Sequence, residues 1–312
     1  MTPDQRAAWD RDGVLVVEDV MPEATLDAVR AEYEAVMDGL WAGWRAEGAV
    51  EDDPCRFETR VREANRRGLD WFQPLDISLP MERVTPATPM HFGPAVFDLL
   101  TCPAILDLAE AVIGPELTSN PIQHVRIKPP VAELHDGDMR AHVAGTSWHQ
   151  DRGVTHEEAD ETDIVTVWIA VTGATVENGC LQAVPGLKGR EMLPHCPYRQ
   201  TEIARGHLDG EPMPLPVGAG GIVMLHPLIP HSSLPNVSDG IRWSFDIRYS
   251  RTGQPTGRSH FPDFVARSRA NPSSELRDWR AWRAMWEEAR IAVSAAPHVE
   301  LHRWTPDAPY CA

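Results

Sequence analysis

Lysine is nearly absent from this 312-residue chain: Lys128 and Lys188 are the only two, and every other basic residue is arginine. Arginine is therefore the default cation, and a lysine beside functional residues stands out. Cysteine is also scarce. Cys55, Cys102, Cys180, Cys196 and Cys311 are odd in number, scattered, and contain no C-x-x-C pair. This pattern excludes a thiolate zinc site and a disulfide framework, and leads us to expect reduced thiols and a cytoplasmic location. The N-terminus MTPDQRAAWDRDG has no apolar core of the kind a signal peptide needs. No apolar run is long enough to span a bilayer. Internal repeats and low-complexity linkers are absent. Positive charge is in deficit: the formal net charge is -17, which disfavours phosphate backbones and anionic membranes as partners.

What remains is a chain with 42% hydrophobic and 24% charged residues, the composition of a folded globular protein. We expect one domain over residues 1–312. Thr2-Pro3 can cap and open a short helix ending near Gly13. The run 14-VLVVEDV-20 predicts a strand. Leu26, Val29, Tyr33, Val36 and Leu40 then recur at helical spacing within 22–48. Residues 49–80 carry no clear pattern, and a short helical stretch at 94–114 is interrupted by Pro103. Between about 120 and 250 the texture changes to short β-branched runs separated by Gly and Pro: 163-DIVTVWIAVTG-173, 180-CLQAVPG-186, 221-GIVMLHP-227 and 242-RWSFDIRYS-250. A closing helix over 273–292, capped by Ser274, places Trp279, Trp282 and Trp286 on one face for core packing or a dimer contact. The expected fold class is mainly β with flanking helices.

Chemistry concentrates in the β-rich part. In 147-SWHQDRG-153, His149 and Asp151 are spaced H-x-D, and on an extended segment both side chains fall on one face. A third ligand is available from 226-HPLIPHSSLPNVSDGIR-242, as His226 or His231. Two imidazoles and one carboxylate with open positions opposite is the ligand set of non-heme Fe(II) oxygenases. If the open positions take 2-oxoglutarate, its far carboxylate needs a cation. Arg242 begins the strand after His231 and offers a planar fork for it.

The motifs 148-WHQD-151, 177-ENGCLQAVPG-186, 226-HPLIPHSSLPNVSDGIR-242 and, more weakly, 127-IKPP-130 together resemble the phytanoyl-CoA dioxygenase family of Fe(II)/2-oxoglutarate oxygenases; so does 12-DGVLVVEDV-20 before a helix. The likeness covers most of 1–250. It implies a double-stranded β-helix (jelly-roll) core in which His149, Asp151 and His231 ligate Fe(II) and Arg242 holds the distal carboxylate of 2-oxoglutarate. By position, Lys128, Trp168 and Ser233 match residues lining the co-substrate pocket. With O2 as second co-substrate, the implied reaction is hydroxylation of an unactivated C–H bond with release of succinate and CO2. Halogenating relatives carry a small residue where this chain has Asp151, so hydroxylation is favoured over halogenation; desaturation, ring closure and epoxidation use the same ligand set. One departure is 185-PGLKGR-190, where the family often has Ser or Thr and then His after Pro-Gly.

The expected partner is a small-molecule substrate, a metabolite or natural-product intermediate, with no nucleic acid and no membrane, acting on a monomer or homodimer. Gln150, Arg152, Trp71, His195 and Arg248 are candidates to touch it, chosen for nearness to the motifs. The acidic 156-HEEADETD-163 reads as a solvated loop or a lid. The competing readings are a zinc-type cupin hydrolase using the same triad with bound water, and a non-catalytic binding protein on the same fold.

Overall fold

Thr2 accepts from the Gln5 amide at 3.2 Å while its own amide donates to the Gln5 side chain at 2.8 Å. This reciprocal cap starts α1 (Pro3–Asp12), and Gly13 ends it in the left-handed region at φ 66°. The computed structural model describes residues 1–80, 83–135, 140, 142–296 and 303–311. In α2 (Glu23–Ala46), Leu26, Val29, Tyr33, Met37 and Trp41 are the buried stripe. Val36 and Leu40, expected in that stripe, sit at its edge, half-buried. The unassigned stretch 49–80 contains α3 (Phe57–Arg66). Pro103 divides the next helical region into α4 (Pro94–Leu100) and α5 (Pro103–Ile113), because proline is tolerated in a helix's first turn but not its interior.

The strands are β1 (Val14–Val17), β2 (Glu116–Lys128), β3 (Ile164–Ala170), β4 (Leu181–Ala183), β5 (His195–Pro197), β6 (Thr201–Ile203), β7 (Met213–Leu215), β8 (Ile222–Leu225), β9 (His231–Ser233), β10 (Arg242–Arg251) and β11 (Phe264–Ser268). They form a six-stranded antiparallel sheet in the order β1-β8-β3-β10-β2-β11, a three-stranded sheet β7-β4-β9 and the pair β5-β6. The extended region thus reaches beyond 120–250, taking in β1 and β11. More of the described chain is helical than extended, so the architecture is mixed α/β with antiparallel sheets, not mainly β.

Side-chain alternation divides the large sheet into two chemistries. Val165, Val167 and Ile169 of β3, Val125 and Ile127 of β2, and Trp243, Phe245, Ile247 and Tyr249 of β10 join one apolar cluster with the buried faces of α2, α4 and α5. The intervening residues face the other way: Thr166 and Trp168; His124, Arg126 and Lys128; Arg242, Ser244, Asp246 and Arg248. Register places them side by side, with Arg242 opposite Lys128, Ser244 opposite Arg126, Asp246 opposite both His124 and Trp168, and Arg248 opposite Thr166.

The closing helix α6 spans Trp279–Ala295, starting later than expected. Ser274 lies in a separate 3-10 turn, and Asp278 caps α6 by accepting from the Arg280 amide at 2.9 Å. Trp282 and Trp286 are buried against Phe92, Phe97 and Phe261. The stripe therefore completes the core.

Candidate metal and co-substrate site

His149 lies just before a 3-10 turn at Asp151–Val154, and is fixed to β9 by a two-way backbone bridge: His149 N donates to His231 O at 3.0 Å, and His231 N donates to His149 O at 2.9 Å. That pairing brings together residues far apart in sequence. The two imidazole centroids are 4.2 Å apart. Each ring is oriented by a carbonyl two residues earlier: Ser147 O at 2.9 Å from His149 Nδ1, and Ile229 O at 3.0 Å from His231 Nδ1. A carbonyl can only accept, so each Nδ1 carries a proton and each Nε2 is the ring nitrogen left to face the carboxylate. Those Nε2 atoms stand 3.7 Å and 3.9 Å from the two carboxylate oxygens of Asp151.

Asp151 is 1% exposed. Its Oδ2 accepts from Thr166 Oγ1 at 2.5 Å, and its Oδ1 accepts from Arg248 Nη2. Burial pushes its pKa upward, but Arg248 and His231 outweigh that and hold the carboxyl well below its usual range. Burial, reinforced by His149, pushes His231 down to about 4. The site therefore holds an ionised carboxylate and a neutral His231 at neutral pH, the protonation states that metal binding needs. His226, the other candidate third ligand, lies elsewhere, 6.2 Å from Trp9, with its amide on Gly13 O.

Behind the triad are two buried cations without carboxylate partners among the described residues. Arg242 is 1% exposed; its Nη1 donates to Ser244 Oγ at 2.6 Å, its Nε has no partner, and its guanidinium lies 5.2 Å over the Trp168 ring. Burial, with Arg126 nearby, pushes its pKa down to about 9. Lys128, also 1% exposed, ends β2 instead of sitting in a solvated loop; its Nζ donates to Ser233 Oγ at 2.8 Å and Leu234 O at 2.6 Å. Burial first, then Arg242 and Arg126, hold its amine well below the ordinary value. Gly179 makes this approach possible. It sits at φ +91°, and a Cβ there would press on Leu234 O and lie 3.1 Å from Lys128 Cδ. The tight space beside the triad is lined by His149, His231, Thr166, Trp168, Arg126 and Asp246, and Trp168 carries the Arg242 guanidinium over its ring.

Two buried cations with an unpartnered N–H and no counter-charge fit a ligand that brings a carboxylate, and the N, N, O donor set fits Fe(II). A model of the phytanoyl-CoA dioxygenase (PhyH) family matches residues 9–244. The chain belongs to the phytanoyl-CoA dioxygenase family. That family is one of 2-oxoglutarate-dependent non-heme iron oxygenases. The chain is 24% identical over 290 residues to the peroxisomal phytanoyl-CoA dioxygenase of Homo sapiens, covering 88% of this chain and 75% of that one. It is 27% identical over 197 residues to L-proline trans-4-hydroxylase of Streptomyces griseoviridis, covering 56% and 69%. The structure of EvdO2 from Micromonospora carbonacea var. aurantiaca complexed with 2-oxoglutarate superposes with a TM-score of 0.53 at 19% identity, over 81% of this chain and 91% of that one. The likeness to solved 2-oxoglutarate oxygenases implies the double-stranded β-helix fold for this family member.

The expected substrate contacts fare unevenly. Arg248 does reach the cavity beside the triad. Four others are committed elsewhere, which corrects the expectation drawn from their nearness to the motifs. Trp71 is packed in the core against Phe72. Gln150 faces away from its neighbours His149 and Asp151, and its amide is spent on Glu191 O, Leu228 O and Leu193 N. Arg152 donates to Ala159 O and Thr162 O. Those bonds, with Arg303 on Asp160 at 2.6 Å, tie down the acidic 156–163 segment, while Glu157, Glu158 and Glu161 remain exposed, as a solvated loop requires. His195 accepts from the Gln150 amide at 3.0 Å and stacks on Trp304 at 5.2 Å.

A further correction concerns thiols. Cys196 and Cys311 form a disulfide. They are separated by 115 residues, and only folding brings the C-terminal segment under β5. There Trp304 Nε1 donates to Gly153 O at 2.6 Å, bracing the turn that carries Asp151. Cys55, Cys102 and Cys180 are free thiols.

Sequence reasoning missed Thr166, Arg126 and Asp246, which line the inner face, and a second cluster of Asp76, His124 and His142. Asp76 Oδ2 pairs with His124 Nδ1 at 2.9 Å, and its Oδ1 accepts from the Ile77 and Val125 amides. The signal was available in 122-IQHVRIK-128, where polar residues alternate with apolar ones.

Among the described residues, no helix is long and apolar enough to cross a membrane.

Proposed function

We propose that this chain hydroxylates an unactivated C–H bond of a small metabolite or natural-product intermediate, consuming 2-oxoglutarate and O2 and releasing succinate and CO2. His149, Asp151 and His231 are the residues that would hold Fe(II). Arg242 would take the distal carboxylate of 2-oxoglutarate, with Lys128, Trp168 and Ser233 shaping its pocket. When bound, the iron supplies oxygen activation coupled to decarboxylation of the co-substrate. The residues supply the rest. Ser147 O and Ile229 O fix which imidazole nitrogen faces the metal, and Thr166 holds the Asp151 carboxylate in position. The single observation that carries the reading is the buried Arg242 guanidinium, lacking a carboxylate partner, behind a His-Asp-His set.

A zinc hydrolase on the same triad would leave Arg242 without a role, and so would a non-catalytic binding protein. The test is anaerobic addition of Fe(II) and 2-oxoglutarate, followed by visible absorption. A weak charge-transfer band that disappears in Asp151→Ala is expected. Absence of a band at saturation, or hydrolytic turnover without O2, would overturn the proposal.

A further inference from the structure

His149 of the triad also lines a cavity of about 820 Å³ whose described lining residues carry a charge opposite to that of the whole chain. Arg83, Arg126, Arg140, Arg199, Arg248 and Arg258 line it, and no aspartate or glutamate is among the described lining residues. In a chain of net charge -17, this concentration of guanidinium groups is local and specific.

Arg248 is accounted for by its ion pairs to Asp151 and Asp246, and Arg126 by its pair to Asp246. Arg258 is not. It is 5% exposed, and its guanidinium donates only to backbone carbonyls: Gly257 O at 2.9 Å and Val154 O at 2.6 Å. Among the described residues it makes no ion pair, and its charged neighbour is another cation, Arg248. Burial, then Arg248, pushes its pKa down to about 10, so it remains charged at neutral pH. A buried charge of this kind is costly unless a counter-charge arrives. Arg83 and Arg199 stand exposed on the same lining, also without an ion pair among the described residues. The rest of the lining mixes apolar residues, Pro80, Pro121, Ile122, Val154 and Phe261, with polar ones such as Ser78, His142, Gln200 and Thr201.

We infer that the substrate is an organic anion, an apolar body carrying a carboxylate or phosphate, and that Arg258 binds the anionic group while Arg83 and Arg199 draw it in. This rests on the oxygenase reading only for which cavity holds substrate. Arg258 is a different group from Arg242, so the site is separate from the one assigned to 2-oxoglutarate.

The probe is 8-anilinonaphthalene-1-sulfonate, compared with its uncharged analogue N-phenyl-1-naphthylamine. Both are titrated by fluorescence into protein holding Fe(II) and saturating 2-oxoglutarate under argon. The sulfonate should bind at least about tenfold more tightly, and Arg258→Gln should remove about tenfold to a hundredfold of its affinity while leaving the neutral dye unchanged. Arg258→Lys should recover part of the loss. Arg199→Gln, at an exposed position where folding is not at risk, should weaken the sulfonate by a few-fold. Displacement by phenyl phosphate ahead of benzoate assigns a phosphate; the reverse order assigns a carboxylate. Equal affinity for the two dyes, or an Arg258→Gln protein that keeps its charge-transfer band and binds the sulfonate as before, overturns the inference. Dye discrimination without any charge-transfer band in the unmodified protein would remove the oxygenase reading and leave the anion site standing.

Discussion

Replacing Arg242 by Met should make the metal-free protein more stable and its co-substrate binding much weaker. The side chain is 1% exposed and its charge has no carboxylate partner among the described residues. A guanidinium held at about 9 instead of its ordinary 12.5 has lost on the order of 5 kcal/mol of its preference for the charged form. At neutral pH it is still protonated, so the folded protein bears that cost. Met keeps the length and apolar stem. It forfeits the Ser244 hydrogen bond, about 1 kcal/mol, and the cation–π contact with Trp168, about 1–2 kcal/mol when desolvated. The net expectation is a gain of about 1–3 kcal/mol in the absence of ligands, or several degrees in Tm for a chain of this size. Because the folded-state value is depressed, stability of the unmodified protein should rise as pH climbs through about 9, and the advantage of Arg242→Met should shrink there. For 2-oxoglutarate, losing a bidentate charge-assisted contact of about 3 kcal/mol or more means at least a hundredfold weaker half-saturation. Arg242→Lys should fall between, since an ammonium keeps the charge but not the fork. Thermal unfolding of metal-free protein and anaerobic titration of the charge-transfer band read the two effects separately. A destabilised metal-free variant whose 2-oxoglutarate half-saturation moves less than threefold would refute the reasoning.

Thr166→Val removes the hydroxyl that donates to Asp151 and should weaken Fe(II) binding by about ten- to a hundredfold with little change in fold, measured by metal titration. Gly153→Ala puts a Cβ into the His195 ring, which holds the Gln150 amide, and should cost about 1–3 kcal/mol by denaturant unfolding; an unchanged midpoint would show that the ring moves freely. Thiol titration should find the exposed Cys55 in the native protein and Cys55, Cys102 and Cys180, but not Cys196 or Cys311, in the unfolded unreduced protein; reduction should cost up to about 4–5 kcal/mol for closure of a 115-residue loop. Burial holds His195 at about 4 against about 6.5 when unfolded, so between those values the unfolded chain binds more protons. Stability should therefore be full above about 6.5 and decline by up to about 3 kcal/mol as pH falls toward 4, with a smaller decline in His195→Gln.

Much of the helical frame was legible because its signals are local. The Thr2 cap, the Gly13 stop, the stripe of α2 and the Pro103 break each act within a few residues. The start of α6 was misplaced by a few residues because Ser274 and Asp278 are both good caps, and packing of Trp282 and Trp286 decides between them. The strand β2 was only partly legible. Asn120, Gln123, Arg126 and Lys128 make it look polar, yet they are buried: Arg126 and Lys128 because the neighbouring strand β10 also presents polar groups to that face, and Gln123 because it donates to Ile77 O.

By itself the sequence determined the donor types and their order, H-x-D, then His, then Arg, since the alternation of an extended chain and the chemistry of each side chain are properties of short segments. What only the tertiary structure decided was the company those residues keep. The backbone bridge selects His231 over His226, and cross-strand register brings Thr166 and Arg248 to Asp151. The same folding closes Cys196 on Cys311 and gathers six arginines around one cavity in an acidic chain. Proximity in space depends on sheet order and register, which are set by burying one apolar face across distant strands, and no window of neighbouring residues records that.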